Sequence, residues 1–422
     1  MSPQNKNIVL AVVGVLIIGT IIYIEAHKPP ALAPGDVQDV ALTANDLGST
    51  TLGTAQIGGS TSTSASTDSL SRAATLKAKA AKYPSAVELI PGPQAGATGI
   101  AATGFINSAP FTLKSLVGNK VVLIDFWTYS CINCQRTIPY LNAWYAKYKD
   151  YGFTIIGVHT PEFDFEKDYA NVAAAVKADG IQYPVMQDDN DATWQAYQNE
   201  YWPNEYLVDI DGYIVHNQIG EGDYDKTEEA IQAALQERAN VLNTGQTIPT
   251  GLVNPANVVT VDPSQQISPE TYFGAERNEY FADGVQSTTG PQTLEFPPIA
   301  SMQTDSLYLD GVWDFQSQYA ELTGQPVNGI AGKIDYDFNA KNVYIVGAAD
   351  PAVAPNGVKV KVLIDGQPIT ASEMGSDVAP DGTMTIGSNN LYHIFSGSVY
   401  GSHTLELDVL NPGLQAYTFT FG

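Results

Sequence analysis

The stretch Val121–Pro139, VVLIDFWTYSCINCQRTIP, constrains this chain more than any other. It holds both cysteines of the 422 residues, Cys131 and Cys134, in Cys-x-x-Cys spacing. Before them, Val121–Phe126 is short, apolar and β-branched, the pattern of a strand buried on both faces. After them, Ile138, Leu141, Tyr145 and Tyr148 recur at helical spacing, which predicts a helix from about Asn133. A dithiol at the start of such a helix suits thiol–disulfide exchange, because free N–H groups and the positive end of the helix dipole favour a thiolate at the first cysteine. The second cysteine lies one turn on, close enough to form a disulfide with it. Two other readings exist. Half a zinc site would need a second Cys-x-x-Cys or a His-x-His, which the sequence lacks. A structural disulfide across a two-residue loop would constrain almost nothing.

Asp125-Phe126-Trp127, then the two cysteines, then Pro139 five residues beyond the second, resembles a thioredoxin-fold protein. More narrowly, WTYSCINCQRTIPYLNAWY resembles the extracytoplasmic thioredoxin-like domain of DipZ-type cytochrome c biogenesis proteins, in the TlpA/redoxin family. The resemblance runs from about Gly104 to Arg238 and, more weakly, to the C-terminus. It implies an α/β thioredoxin fold of TlpA type, with Cys131 as the attacking, solvent-facing thiol and Cys134 as the resolving one. Pro203 matches the family's cis-proline, which lies against the dithiol and offers backbone to a substrate strand; Trp202 and Trp127 join it as substrate-binding residues. Asp125 matches the buried acid beneath the disulfide, a proton acceptor for Cys134, and Glu162 an acidic residue beside the dithiol. On the residues alone, Pro203 reads as a plain turn proline and Glu162 as a surface carboxylate. His159 reads as a core histidine, since thiol exchange needs no imidazole. Many relatives carry Pro before the second cysteine. Here the pair is Ile132-Asn133, which leaves the redox potential open. No metal or other cofactor is implied.

Around this domain the chain falls into further parts. Ile8–Ile24 is an apolar run of 17 residues, at the short edge of the ~17–25 needed to span a bilayer. It competes with a cleavable signal peptide, but Pro34 after Ala31–Ala33 disfavours cleavage, so residues 1–28 are expected to be a single-pass anchor with the bulk of the chain outside the cytoplasm. Residues 29–100, rich in Gly, Ser and Thr, read as a flexible tether with a short helix, Ser71–Lys82. The redox domain takes 101–239. Its expected elements are a pairing strand Phe111–Leu113, strands Val121–Phe126 and Phe153–His159, a helix capped by Asp164, a strand Tyr183–Met186, a hairpin turning at Asp211-Gly212, and a last helix Lys226–Arg238 capped by Asp225 and Glu228.

Residues 240–260 read as a linker and 261–422 as an all-β domain. Eight short alternating segments, among them Ile330–Tyr336, Val343–Val346, His393–Phe395 and Thr404–Val409, suggest a β-sandwich or jelly roll. By resemblance this domain is like a carbohydrate-binding module, with Tyr308, Trp313 and Tyr319 as candidate sugar-stacking rings against the commoner role of core aromatics. A net charge of −25 argues against nucleic acid. The expectation is therefore a membrane-anchored thiol–disulfide oxidoreductase that reduces disulfide-bearing proteins, with a separate CcdA-like membrane protein as electron donor and a possible glycan at the β domain. The alternatives are a redoxin-type peroxide reductase and a carbohydrate- or protein-binding surface protein whose redox domain is secondary.

Overall fold

The computed structural model describes residues 63–422 apart from 257, 260, 263 and 298–301. The Ile8–Ile24 run and the tether as far as residue 62 lie outside the described residues, and among those described no helix is long and apolar enough to cross a membrane. Residues 1–66 and 67–422 form separate units. Of the first, only the opening turn of helix α1 (Thr63–Lys82) is described.

The redox domain is built on six strands: β1 (Phe105–Ile106), β2 (Val121–Trp127), β3 (Phe153–His159), β4 (Val185–Gln187), β5 (Asn204–Val208) and β6 (Ile214–Ile219), in the spatial order β1-β4-β3-β2-β5-β6. β2 is central, parallel to β3 and antiparallel to β5, and all seven of its residues are buried. That is why it reads as an unbroken apolar run rather than an alternating one. Helices α2 (Leu113–Leu116), α3 (Ile132–Tyr148), α4 (Tyr169–Ala178), α5 (Ala192–Tyr197) and α6 (Tyr224–Val241) complete the domain. Apolar side chains divide over the two sheet faces. Leu123, Ile155, Ile138, Trp144 and Ile231 lie in one core cluster, and Val122, Ile124, Phe126 and Val158 in the other.

Several local expectations are corrected. Phe111–Leu113 forms no strand; the pairing strand is β1, and Thr112 instead caps α2 by accepting a bond from the Ser115 N–H. Asp168, not Asp164, caps the next helix, because a short 3₁₀ turn over Asp164–Lys167 intervenes. Asp225 and Glu228 form no capping box. Asp223 stands at the start of α6, while Glu228 is buried and takes hydrogen bonds from Lys147 (2.7 Å) and Tyr148 (2.6 Å). Segments on either side of the domain also pack on it. Leu89 is buried and Ser85 bridges to Tyr213, while on the C-terminal side Ile248 enters the core and the Val253 N–H donates to Glu228 at 2.7 Å.

The C-terminal region is all β. Its strands are β7 (Thr271–Tyr272), β8 (Gly290–Leu294), β9 (Leu307–Phe315), β10 (Ala320–Leu322), β11 (Gly332–Ala349), β12 (Val358–Ile364), β13 (Gln367–Pro368), β14 (Thr383–Ile386), β15 (Asn390–Val409) and β16 (Leu414–Phe421). Two separate sheets are not what the ladders show, because all ten strands belong to one hydrogen-bonded network around a shared core. β11 and β15, 18 and 20 residues long, make this possible. Each fuses two of the expected short strands. The polar Asp337–Asn342 stretch reads as a turn but is a strand with a bulge at Ala340/Asn342. The first half of β11 pairs with β9 and its second half with β16. The candidate sugar platforms are occupied: Trp313 and Tyr308 are buried, and Tyr319 packs on Tyr417 at 5.0 Å between ring centres.

Candidate functional site

Strand β2 ends at Trp127 and delivers Thr128–Cys131 to the carboxyl end of the sheet's central strand, directly before α3. Cys131 is the N-cap of that helix. Its backbone is extended, and its Sγ accepts the N–H of Cys134 at 3.3 Å. The first cysteine thus meets one of the helix's free donors, and charge on its sulfur would be stabilised there. Cys131 is half-buried, whereas Cys134 is 0% exposed. Burial, then the neighbouring Cys131, push the Cys134 thiol well up, and Asp125 adds to the rise. One reactive edge and one protected thiol follow from the helix geometry alone.

Asp125 lies in β2 with 1% of its surface exposed, and burial raises its carboxyl to about 7. Its Oδ1 has no hydrogen-bond partner. The Trp202–Pro203 peptide bond is cis. Pro203 is buried at the start of β5, and Trp202 packs on Trp194 with ring centres 4.3 Å apart. Trp127, expected at the substrate surface, is instead buried in the sheet core, edge-on to His159. His159 is a neutral core residue, held down to about 3 by burial and 3.4 Å from Thr128 Oγ1.

Glu162 does not stand free beside the dithiol. Its Oε1 accepts from Tyr272 (2.7 Å) and Arg277 (2.8 Å), both from the β domain. The acid that shapes the loop is Glu166, which the sequence reading did not single out. It is fully buried and accepts from Ser130 Oγ (2.6 Å) and from the N–H groups of Glu162 and Phe163 (2.6 and 3.0 Å). Thus Glu166 ties the residue before Cys131 to the loop after β3. Glu205 was also missed; it is buried in β5 directly opposite Asp125.

Arg136, which helical spacing would allow to face solvent, is buried. Its guanidinium forms a two-pronged pair with Glu221 (2.8 and 2.6 Å), bonds Asn133 Oδ1 and lies within electrostatic reach of Cys131. Ile132 and Asn133, the two residues between the cysteines, therefore each have a partner. Ile132 is buried in a cluster with Tyr344, Val346, Leu391 and Tyr417 of the β domain. The Tyr129 hydroxyl adds a 3.4 Å bond to the Asn389 carbonyl. The β domain is thus seated on the dithiol loop itself. No sequence signal marks this, since an isoleucine after a cysteine looks the same in a core, at a seam or on a surface.

A carboxylate trio spaced for a metal ion, Asp209, Asp211 and Glu237, is filled by the Lys79 ammonium from α1, 2.6 Å from Asp209 and 2.8 Å from Asp211.

Comparison with known proteins agrees with this geometry. The AhpC/TSA family matches residues 100–217, and a family described as a thioredoxin-like C-terminal domain matches residues 268–422. Protein DipZ of Mycobacterium bovis and of Mycobacterium tuberculosis are each 40% identical over 325 residues, 76% of this chain and 42% of theirs. The chain therefore spans less than half the length of those relatives. The thiol-disulfide oxidoreductase YkuV of Bacillus subtilis is 30% identical over 126 residues, which are 30% of this chain and 84% of YkuV.

Proposed function

The chain belongs to the thioredoxin-like thiol–disulfide oxidoreductases, as a DipZ homologue whose AhpC/TSA domain is followed by a thioredoxin-like C-terminal domain, and from that membership we propose that it reduces disulfides in proteins through Cys131 and Cys134. The observation that carries the reading is the unequal pair: a half-buried Cys131 capping the helix and a fully buried Cys134 one turn behind it, above an acid with a free oxygen. Cys131 attacks a substrate disulfide and forms a mixed disulfide, releasing one substrate thiolate. Cys134 then passes its proton to Asp125 and attacks Cys131, which releases the second. The substrate gains two electrons and the protein's dithiol becomes a disulfide. Peroxide reduction fits less well, because the second thiol is placed to resolve an adduct on its near neighbour.

The reductive direction is supported by Asp125 and Glu205 beneath the pair, since buried acids disfavour a thiolate near them. Arg136 opposes this more than a solvent-facing arginine would. Membrane anchoring through Ile8–Ile24, an extracytoplasmic setting and a separate CcdA-like donor complete the proposal. A glycan ligand draws no support from Tyr308, Trp313 or Tyr319.

The test has two arms. Cys134→Ser should accumulate mixed disulfides with substrate proteins and Cys131→Ser should not; equal capture by both overturns the assigned roles. Equilibration with glutathione buffers should give a potential nearer the roughly −270 mV of thioredoxin than the roughly −120 mV of a dedicated oxidant. A value above about −160 mV on that scale overturns the reductive reading.

A further inference from the structure

Asp125 of β2 and Glu205 of β5 are register partners in an antiparallel ladder. Residues directly opposite each other in such a ladder share a face, with Cβ atoms about 4.5–5.5 Å apart. Glu205 is 2% exposed and Asp125 1%. Each keeps one oxygen without a hydrogen-bond partner, Oδ1 of Asp125 and Oε2 of Glu205. Neither forms an ion pair with any described Lys, Arg or His.

The groups around the pair offer no compensating charge. From α3 comes Cys134, from the chain entering β4 Tyr183, and from α6 Tyr224, each of them a thiol or a phenol. On the flanking strands, Gly157 of β3 stands opposite Asp125 and Gln218 of β6 opposite Glu205, and both are uncharged. Two carboxylates side by side in an apolar core do not both ionise, because each charge opposes the other and burial opposes both. The ground state therefore holds one proton between them.

We propose that Asp125 and Glu205 act as a single proton-sharing unit beneath the dithiol, with Glu205 the positioning residue that holds the shared proton while Asp125 takes the proton of Cys134. The proposal rests on the exchange reaction assigned above. In the resolving step the singly protonated pair accepts the Cys134 proton and becomes neutral. The Cys134 sulfur bonds to the Cys131 sulfur, the bond from Cys131 to the substrate sulfur breaks, and the departing thiolate is protonated from water. No second charge has to form in the core at any point. The shared proton sits on Glu205, whose carboxyl burial and then Asp125 push well up, so Asp125 is the ionised member that meets the Cys134 thiol.

A two-stage release separates this step from the first attack. Reduced protein treated with 5,5′-dithiobis(2-nitrobenzoate) releases one coloured thiolate when Cys131 attacks and a second when Cys134 displaces the adduct. The pH profile of the second release reports the carboxyl pair. The wild-type profile should show two inflections, one for each macroscopic step of the pair, and Glu205→Gln should leave a single one, since only one carboxyl remains to titrate. Asp125→Asn should slow the second release at every pH, because the group that takes the Cys134 proton is gone. A Glu205→Gln profile that superimposes on the wild type, with Asp125→Asn effective, overturns the shared proton while leaving the exchange reading intact. Absence of a second release from the wild type overturns the exchange reading itself. Should Glu205→Gln fail to fold, carboxyl ¹³C titration of the wild type decides the question. Two widely separated steps support the pair, and two independent titrations in the ordinary carboxylate range overturn it.

Discussion

Arg277 of the β domain reaches Glu162 of the redox domain at 2.8 Å and lays its guanidinium 3.7 Å from the ring centre of Tyr272. The contact answers a charge problem. Glu162 is nearly enclosed by the seam, and without Arg277 its carboxylate would lie beside Glu270, whose own carboxyl burial and Glu162 raise to about 7. Arg277→Ala should therefore cost about 1–2 kcal/mol, below the range for a fully buried pair because Arg277 is partly exposed. Urea unfolding measures the loss, and hydrogen exchange should show it concentrated at residues 162–165 and 271–277. Glu162→Gln should alter the urea midpoint more than the rate of thiol exchange, because its carboxylate is already held by Arg277 and Tyr272. A large rate loss at unchanged stability would return Glu162 to the reacting groups.

Ile132 links the same seam to the chemistry. It is buried among β-domain side chains although it sits between the two thiols. Ile132→Ala removes apolar contacts from a buried cluster, at a cost of roughly 2 kcal/mol, the low end for such truncations because the seam can close partly. Cys131, next to Ile132 in the chain, is half-buried, so its alkylation by iodoacetamide should speed up at the same time. Unchanged alkylation with lowered stability would mean that the β domain shields other parts of the loop, not the thiol.

How much of this the sequence shows depends on the range of the interaction. β2, α3 and the β5–β6 hairpin are legible in Val121–Phe126, in the helical spacing from Ile138 to Tyr148 and in Asp211-Gly212, because each is encoded within about ten residues. Glu166, Glu205 and Arg136 act through partners far off in the chain or across a sheet, and no local pattern separates them from surface charges. The long strands β11 and β15 were hidden for a different reason. A bulged strand carries polar, turn-like residues where it bends, so Asp337–Asn342 imitates a loop.

Lys79 supplies a test of how the chain before the sheet is held. Its ammonium is set among Asp209, Asp211 and Glu237, with Arg72 pairing Asp211 and Glu237 at the rim of the cluster. Lys79→Met keeps the apolar stem and deletes the charge, which leaves a buried carboxylate facing two others. A loss of about 3 kcal/mol is expected, with α1 becoming open to proteolysis while the dithiol still reacts. If α1 stays protected, its attachment rests on contacts other than this cluster.

The last prediction concerns acid. His159 is buried and neutral, held at about 3, against about 6.5 in an unfolded chain. Its folded value is depressed, so below about pH 6.5 the unfolded state binds the extra proton and the contribution of His159 to stability falls. Asp125 works the other way. Its carboxyl is raised to about 7, so the folded state binds more protons between the unfolded value near 4 and that point, and stability there falls as pH rises. The wild-type curve blends the two slopes, and a variant comparison isolates one. His159→Gln should be less stable than the wild type at pH 7, and the gap should shrink by roughly 2–3 kcal/mol on going to pH 4.5, where a histidine near 6.5 has taken up its proton in the unfolded chain. Paired urea melts at the two pH values read the difference directly, and a gap that stays constant would show that the imidazole is protonated as easily inside the fold as outside it.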